Sequence, residues 1–549
     1  MKQKRYKYSY IFLAIFIPLL GGCIKETIDE LQGINGIKVA NTFSAPLLNL
    51  TMGMKELYEA ISTDGLVTEQ PNKLLVFAYQ AKDTVPAKQF VAIPSMPFNY
   101  QLKMTGPMIT AFEFNNGFNL SISDSAKLPA TGNQRVKLIN IKEGSFVINI
   151  NNTFLHNTTI DLTFPSIRKN GVPLSRNIPY VYGVDPNPML PITIDLAGYD
   201  LDLTNGGFSY NTIPFTYSFG MVRNVGNLTT TNDVLDINQV FTIKSYNIIR
   251  GYLGKINVLT TEFSEKIGLF DQQMSGKISV KDPRLVIKVY NSYGMPLTGK
   301  ISNLRVVGKD GMDLPVVMNP FKDTFSFNQP ATPGEVAISE YVIDRTNSNL
   351  DLAINSSPSD IKFNLTFDAN YNDAIVDNFL IDTARFNTDL NFEIPLNIKI
   401  EDYVSEQVAP QSAFGDIEYV EAVKLAIRAE NGLPFDVYTQ LLYANPDTNV
   451  TTGVITQILV DSLFETELSI PGASIDLQGE VIAPTITVRN PVISAERFKK
   501  ISAAKNQITR SRLNTSAIGG APGFAKIYTD QKMNIKIGAD INIIYKSKK

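Results

Sequence analysis

The pattern that most constrains this chain is a period of two. Over most of its 549 residues, apolar and polar side chains alternate in short runs bounded by Gly, Pro, Asn and Asp. In extended chain, successive side chains point to opposite faces, so such a run reads as a strand with one buried and one wet face. Residues 73–79, 145–150, 360–367 and 533–544 are clear examples. Only two stretches carry a helical period. Residues 53–61 place Met54, Leu57, Tyr58 and Ile61 at i, i+3, i+4 and i+7 behind a Thr51 cap. Residues 495–510 follow a Ser494 cap, put Phe498, Ile501 and Ile508 on one side, and give the other a basic face of Lys499, Lys500, Lys505 and Arg510. The expected fold class is all-β, with two short helices.

The strands repeat. Residues 146–154, 285–297 and 425–435 each carry an alternating strand that ends on an asparagine: Asn152, Asn291 and Asn431, 139 and 140 residues apart. In the first two units a second strand follows, then a Lys-Asn-Gly or Lys-Asp-Gly turn ending at Gly171 or Gly311; these dipeptides favour the positive φ of tight hairpins. The third unit has residues 443–447 (Tyr-Ala-Asn-Pro-Asp) instead. A Leu-Asp-Leu triplet at 201–203 precedes the strand 212–218, and another at 350–352 precedes 361–367. Three related β modules of about 140 residues are the expected organisation, close to the usual size of a domain. The prolines of 185–188 and of Lys281-Asp-Pro283 are expected at turns between modules, where proline ends strand pairing.

The side-chain inventory limits chemistry. Fifty Lys and Arg against 53 Asp and Glu leave a net charge of -3, without the basic footprint of a nucleic-acid binder. One histidine, His156, and one cysteine, Cys23, leave no set for a Cys/His zinc site or a Cys–His nucleophile pair. A Ser-His-Asp triad would have to use His156, which is expected on a solvent-facing loop, and no Gly-x-Ser-x-Gly elbow occurs. Calcium-loop and phosphate-loop spacings are absent too. Carboxylates are plentiful, but the separation that a glycoside hydrolase requires is not legible in sequence. No catalytic residue, metal or cofactor is expected, and the chain is read as a non-enzyme.

The first 23 residues are of another kind. Lys2, Lys4, Arg5 and Lys7 precede an apolar run at 11–20, and then come Leu20, Gly21, Gly22 and Cys23. The run is short for a permanent transmembrane helix, which takes about 20 apolar residues, and fits a secretory signal. Leu20-Gly21-Gly22-Cys23 resembles the lipobox of bacterial lipoproteins. That resemblance implies cleavage before Cys23 and a diacylglyceryl group, with further acyl chains such as palmitate, on its thiol. It also implies membrane attachment through that lipid, in the outer membrane of a Gram-negative cell, facing the periplasm or the outside. The charged stretch 24–30 is similar to the surface-export signals of Bacteroidota lipoproteins.

The unit of strand, asparagine, short polar turn and second strand resembles the start of the late-embryogenesis-abundant type 2 (water-stress and hypersensitive-response) domain. Here Thr153, Ser292 and Gly432 stand where that family favours proline. The resemblance implies immunoglobulin-like β-sandwiches without a catalytic site. The expected layout is a signal peptide (1–22), a lipidated tether (23–35), an N-terminal β region with a short helix (36–140), and modules at 141–275, 276–415 and 416–549, the last carrying the 495–510 helix. The expected function is non-catalytic binding or scaffolding in the cell envelope, with a protein partner and no nucleic acid. The alternatives are a carrier of lipid or another hydrophobic ligand and a glycan-binding accessory of nutrient uptake.

Overall fold

The computed structural model describes residues 38–55, 67–89, 93–268, 275–320, 322–411, 420–448 and 455–546. The fold is all-β. The three asparagines close three strands, labelled with three earlier ones as β1 (Lys38–Gly53), β2 (Leu75–Pro86), β3 (Met96–Lys103), β4 (Arg135–Asn152), β5 (Arg284–Asn291) and β6 (Val420–Asn431).

Around β4, β5 and β6 the chain builds the same arrangement three times. Each asparagine strand pairs on one side with a closing strand: Val234–Tyr252, Arg385–Pro395 or Lys532–Lys546. On its other side it pairs with a short strand: Ile192–Asp195, Ala337–Ile343 or Thr485–Arg489. The opposite layer holds the strand that follows the asparagine: Asn157–Lys169, Leu297–Val307 or Phe435–Thr448. That strand pairs with Thr212–Val222, Asp360–Ala369 or Asn506–Thr515. These pair in turn with the strand that enters the module: Gly117–Lys127, Ile256–Lys266 or Asn397–Pro410. Every ladder is antiparallel, so one face of each sheet can stay wet. Asp360–Ala369 alternates strictly between half-buried and buried positions, as its sequence pattern requires.

Aromatic rings join the two layers. In module 1, Phe146 and Phe241 stack at 4.0 Å and meet Phe164 of the other layer edge-on at 5.1 and 5.4 Å. Phe367 and Phe386 cross the core of module 2 at 4.8 Å. Such pairs add about 0.5–1.5 kcal/mol beyond the area they bury. The expected tight turn is present at Asn170–Gly171, both with positive φ, and Gly311 turns the chain at φ +81°.

The early strands do not form a sheet of their own. β1 lies along Lys532–Lys546, from Lys38 opposite Lys546 to Gly53 opposite Lys532. β2 lies along Arg385–Pro395, and β3 along the first half of Val234–Tyr252. The segment expected as an N-terminal β region therefore adds a strand to module 3, then module 2, then module 1, always beside the closing strand.

The registers also fix direction. β1, β2 and β3 all run toward the asparagine end of their modules, and that end of each module meets the opposite end of the next. Between modules 3 and 2, the Leu75 N–H donates to Ile527 O (3.0 Å) and the Ile527 N–H to Leu396 O (2.9 Å). Between modules 2 and 1, Asn378–Ile381 adds to Ile248–Gly251, the Tyr252 hydroxyl donates to Asp373, and Lys137 pairs with Asp377 at 2.7 Å. The body strands cross these junctions on short connections: 253–255 between modules 1 and 2, and Leu396 alone between modules 2 and 3. The result is a row of three sandwiches, with Lys38 and Lys546 side by side at its base and Asn152 at its tip.

The helices differ from expectation. Three are described: α1 (Gly106–Asn115), α2 (Leu350–Ile354) and α3 (Ala495–Ala503). Ser494 caps α3 as expected, accepting the Arg497 N–H. The helix stops at Ala504, whose ψ of 151° is extended, and Asn506–Thr515 is a strand, so Lys505 and Arg510 do not share its basic face. Most of the expected helix at 53–61 lies outside the described residues. The Leu-Asp-Leu triplets are not equivalent: 201–203 begins on a strand, while 350–352 opens α2.

Candidate functional site

The three asparagines occupy one structural position. All are buried. Their Oδ1 atoms accept the N–H two residues on: Phe154 at 3.1 Å, Tyr293 at 2.9 Å and Leu433 at 3.0 Å. This side-chain turn lets the strand leave its sheet without orphaning a backbone donor. The Asn291 Nδ2 donates to Met295 O (3.4 Å) and Asn328 O (3.0 Å), and the Asn431 Nδ2 to Phe435 O and Pro471 O, both at 3.0 Å. In module 1 the turn is longer, and the Asn152 Nδ2 donates to the Thr158 hydroxyl at 3.2 Å. These residues are structural. Leu20, Gly21, Gly22 and Cys23 lie outside the described residues.

Modules 2 and 3 each use the loop before the closing strand, residues 370–384 and 516–531, to hold the module beyond. In module 1 the same loop, residues 223–233, has no sandwich beyond it among the described residues. α1 follows β3 there and covers the end of the core with Phe112. Terminal caps of stacked modules ordinarily present a polar outer face. This one does not: Phe114 is 87% and Val225 92% exposed, and Val184, Leu190, Val222 and Leu228 are also exposed. Concentrated at one end, on loops held by a rigid scaffold, these side chains form the candidate binding surface.

His156 sits directly beneath it. The expected solvent-facing histidine is instead fully buried. Its ring packs on Phe112 with centroids 5.0 Å apart. Nδ1 accepts the Asn224 N–H at 3.1 Å, which leaves Nε2 to donate to the Thr229 hydroxyl at 2.8 Å. Burial, helped by the nearby Arg223 charge, holds the imidazole below its usual pKa. Arg223 donates to Glu113 O at 3.2 Å, and the Asn227 side-chain amide to Leu155 O at 2.6 Å. His156 thus ties α1, its own loop and the 223–233 loop into one tip, and is a structural residue. Sequence reasoning missed both the tip and α1. Pro107 at the start of the helix and Asn116 in the left-handed region after it were the available signals.

A concavity of about 330 Å³ lies near the junction of modules 3 and 2, lined by Glu430, Gly432, Glu480, Tyr528, Asp530 and Lys532 among others. Two of its carboxylates are already committed. Glu480 accepts from Lys526 Nζ at 2.6 Å and from the Tyr528 hydroxyl at 2.8 Å, and Asp530 pairs with Lys73 at 2.9 Å. Burial, together with Glu480, pushes the Tyr528 phenol well above its usual range. These groups fasten the junction. Among the described residues no cluster of three or more His, Cys, Asp or Glu could hold a metal, and no helix is long and apolar enough to cross a membrane.

No known family description matches the chain, and no curated protein does. Among solved structures, a protein from Parabacteroides distasonis aligns at 13% identity over 54% of this chain and 90% of its own, with a TM-score of 0.28. The N-terminal tandem CBM22 domain of Paenibacillus barcinonensis Xyn10C aligns at 9% identity over 52% of this chain and 82% of its own, with a TM-score of 0.14. At these scores neither assigns a fold or a function.

Proposed function

We propose that the chain is a lipid-anchored lipoprotein of the cell envelope, held in the outer membrane through Cys23, whose three sandwiches act as a non-catalytic arm. In this reading the arm carries the apolar tip away from the bilayer to meet a protein partner. The observation that carries it is the opposition of the two ends: Lys38, fifteen residues after Cys23, lies at the base, and Val225 lies at the tip. Strands rise about 3.3 Å per residue, so three modules of roughly 12-residue strands span on the order of 100 Å. A lipid carrier needs strands apolar on both faces, whereas the alternation along strands such as Asp360–Ala369 supports sandwiches closed on themselves.

Fractionation of cells producing Cys23→Ala tests the anchor. Release from membranes, or accumulation of the uncleaved chain, is expected. A variant cleaved normally and still membrane-bound overturns it, because firm attachment is assigned to acyl chains on that sulfur.

A further inference from the structure

We infer that the early segment is a mechanical strap, and that the protein is built to carry tension between its tip and its base. The inference uses the tip-to-anchor direction proposed above, but the property itself belongs to the fold. A pull on Lys38 toward the base acts along the axis of β1, and β1 is held along its whole length by the antiparallel strand Lys532–Lys546. Force along the strands loads every rung of that ladder together, so the bonds must fail as a group. Pulling Lys38 and Lys546 apart instead loads only the first rung, and the ladder peels one pair at a time.

Two further clamps stand behind the first. If β1 slides out, the same chain next loads β2 along Arg385–Pro395, from Val76 opposite Pro395 to Pro86 opposite Arg385. β3, beside residues 234–241, comes last. β3 leads directly into α1, the helix that bears Phe114, so the strap joins the base to the exposed surface in fewer than a hundred residues. The body of the molecule offers no slack in parallel. In the body, Leu396 is the entire connection between modules 2 and 3: its N–H continues the β2 ladder of module 2 through Leu75 O, and its C=O accepts the Ile527 N–H of module 3. Outer contacts reinforce the first clamp: the Ser44 hydroxyl donates to Asp540 at 2.6 Å and the Thr51 hydroxyl to Asn534 at 2.8 Å.

Single-molecule force spectroscopy on the chain from Cys23 to Lys549, made without lipid, tests this. Cys23 is the only thiol and serves as one handle. The second handle is Val225→Cys in one molecule and a cysteine appended after Lys549 in another. Forced unfolding reports the barrier to rupture rather than equilibrium stability. The tip geometry is expected to hold to a force several-fold higher than the terminal geometry, and to fail in successive steps. Equal forces in the two geometries, or a weaker tip geometry, overturn the inference. Leu50→Pro, which removes a rung of the first ladder, is expected to lower the force only in the tip geometry; should it misfold, the two-geometry comparison on the unaltered strap still decides. Since no lipid is involved, a failure here leaves the Cys23 anchor standing, and a failed anchor leaves this result standing.

Discussion

Asn291 Oδ1 and the Tyr293 N–H lie 2.9 Å apart, and both residues are completely buried. Asn291→Ala removes that acceptor and the donor to Asn328 O, leaving backbone groups unpaired where water does not reach. Each such group costs about 1–3 kcal/mol, so a loss of about 2–6 kcal/mol is expected. Asn431→Ala, with the same bonding, should cost a similar amount. Urea unfolding followed by module-resolved hydrogen exchange measures both, and a change below 0.5 kcal/mol at either position contradicts the equivalence.

Acid should open the molecule from the tip. The His156 pKa is lowered in the folded state, so as pH falls below the unfolded value of about 6.5 the unfolded chain binds the proton first and stability is lost. The groups around the ring are Arg223, Asp233 and Glu113; the arginine deepens the effect and the two acids temper it. The Asp373 carboxyl, held low by hydrogen bonds from Tyr252 and Asn133, acts with the same sign but in a lower pH window. Its contribution to the junction of modules 1 and 2 is complete above about pH 3.8 and fades only below it. Protection from exchange at 223–233, measured against the intrinsic rate at each pH, should therefore fall between about pH 6.5 and about pH 5 while protection at 248–251 holds. Simultaneous release of both segments refutes the order.

Gly294 marks a second sensitive point. A Cβ there would lie 2.3 Å from the Phe379 ring, and Phe379 belongs to the strand that joins module 2 to module 1. Gly294→Ala must displace that ring, at a cost of about 1–3 kcal/mol. Faster exchange along Ile248–Gly251, with the core of module 3 unchanged, is the expected readout.

At the tip the expectation is reversed. Val225→Asp with Leu228→Asp should leave the unfolding midpoint within about 0.5 kcal/mol, because both side chains are already in water. Cross-linking in intact cells should lose whatever product the unaltered tip gives. An unchanged cross-linking pattern would move the binding surface elsewhere.

What was legible in the sequence is what depends on near neighbours. Alternation marks strands because burial is decided face by face, and the asparagines stand out because a side-chain turn must carry its residue at a fixed place. The 495–510 reading ran too long because Ile508, seven residues after Ile501, suits a helix and a strand equally, and the extended Ala504 between them leaves no mark on composition. His156 misled because its burial comes from Phe112 and Thr229, 44 residues before it and 73 after it. Pairing between Lys38 and Lys546 has no local signature at all, since a strand edge accepts any backbone of suitable register. The tip was illegible for a related reason: exposed valines and leucines look like core until the end of the stack is known.

The reversed order of the early strands also sets a timetable. The chain emerges N-terminus first, so β1, β2 and β3 appear before any of their partners. The partner of β3 is complete by residue 252, that of β2 by residue 395, and that of β1 only at residue 546. Where strands pair as their partners emerge, assembly proceeds from tip to base. The first of the described strands is the last to be housed, and until then it is an open edge in need of protection.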